Sequence, residues 1–379
     1  MPDARITRRT LAEMLGGAAG AALVDTRFGR TAAAASVRGS LSDEVVQLNS
    51  NENPYGLSPK ALEAVGSSRR VANRYPDSLE EETRQAIAKH HGVKPERIVL
   101  GCGSSEILRM ADMAFTGPDK TAVVAEPTFE AVLSYAKAIR AEAVKVPLTA
   151  DFRHDLPKMA QACGERTGLV YVCNPNNPTG TIATGDELAA FVAKVPSSVT
   201  ILVDEAYHHF VEDSRYRSAC ELAERLPNVL VARTFSKIYG MAGLRLGYAV
   251  GSEARIAEMA SFASWNNTNA AVLSAALASL ADPDHVSRQR KLLNDTRRWL
   301  VEELKREKRR TIPSETNFLM IDVGGDVAPV IRAFQEKKIL VGRRFPSLPN
   351  WLRISIGTPE EMSVFLDGLR QIVPARVAA

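Results

Sequence analysis

From Leu79 onward, apolar and polar positions along the chain alternate between two kinds of pattern. Leu79–His91 and Ser104–Phe115 repeat apolar residues every three to four positions, the spacing of an amphipathic helix. Around them stand short runs rich in Val, Leu and Ile: Arg97–Leu100, Ala122–Ala125, Leu169–Cys173, Ile201–Val203, Val229–Ala232 and Gly247–Val250. Continuous apolar runs of this kind predict strands buried on both faces. Helices alternating with such strands imply an α/β fold, a mainly parallel central sheet with helices on both faces. Helical pattern resumes at Asn269, with a long charged helix from Pro283 to Arg309. Strand-like Asn317–Asp322, a helix over Val327–Lys337, strand-like Ile339–Val341 and Leu352–Ile356, and a helix from Pro359 complete the chain. This tail, with the segment around Val45–Val65, predicts a smaller α+β domain. The expected organisation is an N-terminal arm and part of the small domain over 36–70, a large domain over 71–275 and a small C-terminal domain over 276–379.

The first 35 residues stand apart from that pattern. Thr7-Arg8-Arg9-Thr10-Leu11 precedes a mildly apolar, Ala/Gly-rich run from Leu15 to Val24, and then Ala32–Ala35. Paired arginines, a weak apolar core and a small-residue region resemble a twin-arginine export signal over 1–35 that is removed on export. A periplasmic or exported protein is expected, with the cytoplasm as the alternative if the leader is only a tail. No stretch reaches the 18 or so apolar residues needed to span a bilayer, so no stable membrane insertion is expected.

Composition adds little and excludes one class. The 379 residues are 45% hydrophobic and 24% charged, as in ordinary soluble proteins. Of a net charge of +4, half comes from the leader, where five arginines face three acids. No basic block remains for nucleic acid. Cys102, Cys163, Cys173 and Cys220 lie far apart with no metal-ligand spacing; Cys102 and Cys173, beside apolar strand-like runs, read as small core residues, with a disulfide left open by the export signal.

Four segments carry chemistry. In Thr234-Phe235-Ser236-Lys237, an amine stands among small hydroxyls, and Arg245 follows eight residues later. Hydroxyls and a guanidinium suit a phosphate ester, and a lysine amine can form an imine with an aldehyde. Asp204 follows the apolar run Ile201–Val203, at a strand's carboxyl end, where open α/β sheets bind ligands; a carboxylate there can hold a pyridinium nitrogen protonated. Asn174-Pro175-Asn176-Asn177-Pro178-Thr179-Gly180 follows another strand and makes a rigid turn able to present the Asn177 amide. Gly101-Cys102-Gly103-Ser104-Ser105 joins a strand to a helix, where free backbone N–H groups can cradle phosphate.

In this order the segments resemble the fold-type I, class I/II aminotransferases that use pyridoxal phosphate (PLP), and within them the histidinol-phosphate aminotransferase branch. Leu48-Asn49-Ser50-Asn51-Glu52-Asn53-Pro54, Asn73–Asp77 and Leu352–Thr358 extend the likeness from about Gln47 to Ile372. The resemblance implies a Schiff base on Lys237, which also moves the proton between substrate and cofactor. It implies Asp204 on the pyridine nitrogen, and Asn177 and Tyr207 on the phenolic oxygen. Ser104, Ser105, Thr234, Ser236 and Arg245 would surround the phosphate, and Phe129 would stack on the ring. Tyr75 would reach the phosphate of the partner subunit's cofactor, which implies a homodimer with shared active sites. Arg353 would clamp the substrate's anionic group, with Arg343 and Arg344 as competitors and Tyr55 at the pocket mouth. Trp265 and Asn267–Asn269 fall in a region that approaches substrate in the family, whereas His208 and His209 read as loop-shaping.

Two features argue against histidinol phosphate itself. The branch usually carries an arginine directly after the late apolar strand, where this chain has Gly342 before Arg343 and Arg344. It also has a tyrosine ahead of the first motif, where this chain reads Val37-Arg38-Gly39-Ser40. Export is a third objection, since histidine biosynthesis belongs to the cytoplasm. The expected activity is transfer of an amino group between an amino acid, aromatic or histidinol-phosphate-like, and a 2-oxo acid. A PLP-dependent amino-acid decarboxylase of the same fold is the alternative, because it would keep every cofactor residue.

Overall fold

The computed structural model describes residues 45–374; the expected export signal at 1–35 lies outside them. The described chain opens with strand β1, Val46–Leu48. A seven-stranded sheet follows, built from β2 (Ile98–Gly101), β3 (Thr121–Glu126), β4 (Ala143–Pro147), β5 (Thr167–Cys173), β6 (Thr200–Asp204), β7 (Val229–Thr234) and β8 (Gly247–Val250). Its spatial order is β2-β8-β7-β6-β5-β3-β4. The five strands from β7 to β4 pair in parallel, and β8 runs against both of its neighbours.

The expected buried parallel sheet is present, and the alternation of side chains explains it. Val123, Val170, Val172, Ile201, Val203, Val229 and Val231 face helices Leu156–Gln161, Gly185–Val192 and Cys220–Arg225, through Met159, Leu188, Phe191 and Ala223. Val124, Leu169, Tyr171, Leu202, Leu230 and Ala249 face helices Ser104–Phe115 and Glu253–Ala260, through Ile107, Leu108, Ile256 and Met259. Both faces are covered, so neither can carry the polar residues that a half-exposed sheet would show.

Beyond the sheet, β9 (Thr311–Ile312), β10 (Phe318–Asp322), β11 (Ile339–Val341) and β12 (Trp351–Ser355) make two smaller sheets. β10 lies between β12 and β9 with antiparallel pairing, and β1 pairs in parallel with β11. Residues near the start of the described chain are thereby fixed beside residues near its end. Capping boxes at Thr184/Glu187 and Thr358/Glu361 start the helices Gly185–Val192 and Pro359–Ile372.

Sequence pattern missed β4. It is an edge strand paired only with β3, and Lys145 in its middle is exposed, so its period is interrupted by charge. The long helix ends at Arg306 rather than Arg309, and Lys308 takes a left-handed backbone at φ 55° just beyond it. The four cysteines are free thiols, Cys173 among the most buried. No helix among the described residues is long and apolar enough to cross a membrane.

Candidate active site

The carboxyl ends of β5, β6 and β7 place the Asn174–Gly180 turn, Asp204 and the Ser236-Lys237 loop side by side. Cys173 pairs with Asp204, and Asp204 with Ala232. They open onto a cavity of about 330 Å³, lined by Ser104, Ser105, Phe129, Asn177, Asp204, Tyr207, Thr234, Ser236, Lys237, Arg245, Arg343 and Arg353. A second cavity of about 310 Å³, beside His154 and Phe191, contains none of these residues.

Asp204 is buried at the end of β6. Its Oδ2 accepts a hydrogen bond from the Tyr171 hydroxyl at 2.9 Å, and its Oδ1 accepts from the Ala206 N–H at 3.1 Å. Burial pushes its pKa up to about 6, against the lowering effect of Tyr171 and Ala206. The Lys237 amine donates to the carbonyl oxygens of Asn51 at 3.1 Å and Ser50 at 3.4 Å. Burial lowers its pKa to about 8, helped by Arg353 and Arg245 and opposed by Glu52 and Asp204. That brings a neutral, nucleophilic amine within reach near neutral pH. Asn51, at φ 54°, donates from Nδ2 to the Tyr207 hydroxyl oxygen at 3.0 Å.

A cradle for an anion forms at the first turn of helix Ser104–Phe115. Gly103 is its N-cap at φ 79°, with no side-chain cap on the first amides. A Cβ there would also stand 2.0 Å from Nη2 of Arg245, so only glycine admits the guanidinium beside the helix start. Arg245 itself sits at φ 68°, a strained backbone for a side chain of its size. Its Nη1 donates to Ser236 Oγ at 3.1 Å and to the Ala242 carbonyl at 3.0 Å. Thr234 has a different part. Its hydroxyl accepts from the Ser236 N–H at 3.0 Å and donates to the Leu246 carbonyl at 3.3 Å, which shapes the loop carrying Ser236.

Arg353 lies across the cavity, buried in β12. It donates through Nη1 to Asn177 Oδ1 at 2.8 Å and through Nη2 to the Asn49 carbonyl at 2.9 Å. Its Nε has no hydrogen-bond partner, and its guanidinium lies 5.2 Å from the ring centre of Phe345 and 5.7 Å from that of Phe318. No carboxylate among the described residues touches it, and burial lowers its pKa to about 10. A Cβ on Gly342 would come within 2.7 Å of the Arg353 carbonyl and 3.0 Å of its Cβ. Arg353 therefore excludes any side chain at position 342, and the first arginine after β11 is Arg343, which does line the cavity.

Three expected residues are not brought to the cavity of a single chain. Arg344 pairs with Asp326. Tyr55 packs against the core, near Glu360 and Thr296, and burial raises its pKa. Tyr75 is 77% exposed. Trp265 is exposed as well, and Asn267 bonds Glu106. Sequence reasoning assigned no part to Asn51, Tyr171, Glu130 or Phe345. A lone hydroxyl in the aliphatic run of β5 was the available signal for Tyr171, and the Asn-Glu-Asn-Pro motif was that for Asn51. Glu130 and Phe345 had none.

Residues 43–369 match the family model for aminotransferase class I and II. The histidinol-phosphate aminotransferase of Moorella thermoacetica is 38% identical over 87% of this chain and 86% of its own length. The aromatic amino acid aminotransferase of Cutibacterium acnes is 35% identical over 88% of this chain and 94% of its own. Among solved structures, the histidinol-phosphate aminotransferase of Sinorhizobium meliloti in complex with pyridoxal 5'-phosphate superposes with a TM-score of 0.81. It is 26% identical, over 87% of this chain and 91% of that one. The chain therefore belongs to the class I and II aminotransferases, as a PLP-dependent enzyme that moves an amino group between an amino compound and a 2-oxo acid.

Proposed function

We propose that the amino donor carries an aromatic or imidazole side chain, and that Lys237 is the residue that holds the cofactor. One shared cavity carries this assignment: Lys237, Asp204 and Arg353 line the same space, with Phe129 and Phe345 as apolar walls. Relatives named for histidinol phosphate and for aromatic amino acids support the donor class.

The residues present fit PLP. An unblocked helix start beside a guanidinium suits a phosphate dianion, and a buried carboxylate on the far side suits a ring cation. Bound PLP supplies an aldehyde carbon that bonds amines, and a ring that draws electrons from the substrate's Cα. The Ser104 and Ser105 amides, the Ser236 hydroxyl and Arg245 would hold the phosphate. Asp204, held in place by Tyr171, would face the ring nitrogen and favour its protonated form. Arg353 ties up the Asn177 carbonyl, which leaves the Asn177 amide nitrogen for the phenolic oxygen. Tyr207 donates its hydrogen to the same oxygen. Burial raises its pKa, so it stays protonated, and its own oxygen already accepts from Asn51. Phe129 covers one ring face. The Lys237 amine would carry the proton that leaves the substrate's Cα, the bound cofactor supplying the electron-withdrawing ring. Arg353 keeps one N–H on each terminal nitrogen for the substrate's anion.

The active form is a homodimer in which Tyr75 reaches the phosphate of the partner subunit's cofactor. Residues 71–275 form the cofactor-binding domain, with 36–70 and 276–379 making the smaller one. Residues 1–35 direct export by the twin-arginine route, to a periplasmic or external site.

A half-reaction screen tests the central assignment. The PLP form is mixed with single amino compounds, and loss of the visible absorbance of lysine-bound cofactor is followed. Aromatic amino acids or histidinol phosphate should react first and yield the corresponding 2-oxo acid or ketone. Release of CO₂ without that product would make the enzyme a decarboxylase. Cell fractionation of the wild type against an Arg8→Lys/Arg9→Lys variant tests export: equal cytoplasmic retention would reduce the leader to a tail.

A further inference from the structure

Two arginines lie close to one phenyl ring in the lining of the cavity. The Arg343 guanidinium lies 4.3 Å from the ring centre of Phe345, and that of Arg353 lies 5.2 Å from it. Their anionic surroundings differ. Arg353 is buried and bonds only neutral oxygens, whereas Arg343 donates to Oε2 of Glu130 at 2.5 Å. Glu130 follows the cavity residue Phe129 and precedes the helix Ala131–Ala138, where its side chain makes no capping bond. Arg343 follows β11. The pair thus joins the seven-stranded sheet's side of the cavity to that of the small sheets. Both side chains are about half exposed, at 52% and 50%. An ion pair so hydrated adds little net stability, so replacing one partner costs little.

An aminotransferase admits two different side chains to one cavity in turn. If the anion clamp at Arg353 takes the carboxylate common to both, the distal group is met by what lies next along the ring of Phe345. That is Arg343, already neutralised by a carboxylate of the protein. We propose that Glu130 is a displaceable counterion: the distal carboxylate of a dicarboxylic substrate takes its place on Arg343, while a neutral side chain leaves the Glu130–Arg343 pair closed. Glu130 thereby sets the balance between dicarboxylic and uncharged partners in the same site. This inference rests on the assignment of Arg353 made above.

The test is calorimetric binding of two unreactive acids to the full-chain PLP-loaded enzyme, glutarate with a distal carboxylate and 3-phenylpropionate without one. Glu130→Gln removes the internal competitor without breaking a side-chain capping bond. It should tighten glutarate roughly tenfold, about 1.4 kcal/mol, and leave 3-phenylpropionate within about twofold, a small fraction of that scale. Arg343→Gln should weaken glutarate by a similar factor and erase the effect of Glu130→Gln in the double variant, as a coupled pair requires. Unchanged or weaker glutarate binding in Glu130→Gln would overturn the proposal. If Arg353→Ala leaves 3-phenylpropionate binding intact, the anion clamp itself is misassigned and this inference fails with it.

Discussion

The Tyr171 hydroxyl, rising from β5, donates a 2.9 Å hydrogen bond to Oδ2 of Asp204 on β6. The adjacent parallel strands therefore do more than complete a sheet: one fixes the rotamer of a carboxylate that the other presents. Asp204→Asn should slow the half-reaction by roughly 100- to 1000-fold, the cost of losing one preorganised electrostatic partner. Tyr171→Phe should cost about tenfold, as one hydrogen bond to a charged group does, and the loss should fall on kcat with little change in KM. Stopped-flow half-reactions separate the two variants. A Tyr171→Phe enzyme as slow as Asp204→Asn would give the hydroxyl a direct part in the chemistry.

Lys237 makes a prediction that depends on pH. Its amine titrates near pH 8 because burial, Arg353 and Arg245 disfavour the charge. Only the neutral amine attacks an aldehyde, so the rate of PLP uptake by the stripped protein should rise through pH 8 and level off above it. Borohydride should then trap cofactor on the peptide containing Lys237, and Lys237→Ala should give no adduct. A labelled peptide around any other lysine would refute the assignment.

Arg353 should be felt in substrate binding. Arg353→Ala is expected to raise the KM for the amino acid roughly 30-fold, at about 2 kcal/mol for a truncated buried charge pair. PLP affinity should fall much less, because the variant removes one orienting bond to Asn177 and none of the phosphate-binding residues. Lysine should rescue poorly, since a point charge cannot reproduce the planar fork. Steady-state kinetics with Arg343→Ala alongside decides which arginine holds the α-carboxylate.

Asp112 bears on stability rather than chemistry. It lies in helix Ser104–Phe115, fully buried, and neither carboxylate oxygen has a hydrogen-bond partner among the described residues. Burial pushes its pKa up to about 8. The folded chain therefore binds a proton that the unfolded chain releases near pH 4, and stability falls as pH rises from about 4 to 8. Asp112→Asn should remove that slope. The variant should gain on the wild type at pH 8 by about 1–3 kcal/mol, the scale of an unsatisfied buried group, and by less at pH 5. Thermal melts at the two pH values read the difference.

The sequence made the central sheet legible because its strands are buried on both faces, so Val203 and Val231 look alike whichever helix layer they meet. Asp204 stood out as a polar residue directly after an aliphatic run, and Asn177 through the turn of two prolines and a glycine that follows another. The edge strand β4 was hidden by Lys145, which one-sided burial permits. Gly342 looked like a missing arginine. The close approach of Arg353 shows why the position cannot hold a side chain, a constraint set by two strands that the sequence places apart. Glu130 was invisible for a similar reason: its partner Arg343 is 213 residues away, and no local period links them.

Asn51 and Ser355 meet through a 2.7 Å hydrogen bond, 304 positions apart, and Arg353 reaches back to Asn49 across the same span. The wall beside Lys237 is thus a closure between early and late parts of the described chain, and the entropy of closing so long a loop is lost before any of its contacts form. A nascent chain still lacking β12 holds the phosphate cradle and the Asp204 strand but has an open basin where the finished protein has a chamber. Enclosure of the cofactor must wait until translation has passed Ser355. A chain carried across a membrane unfolded would have to acquire its PLP on the far side, whereas one carried folded would arrive already loaded.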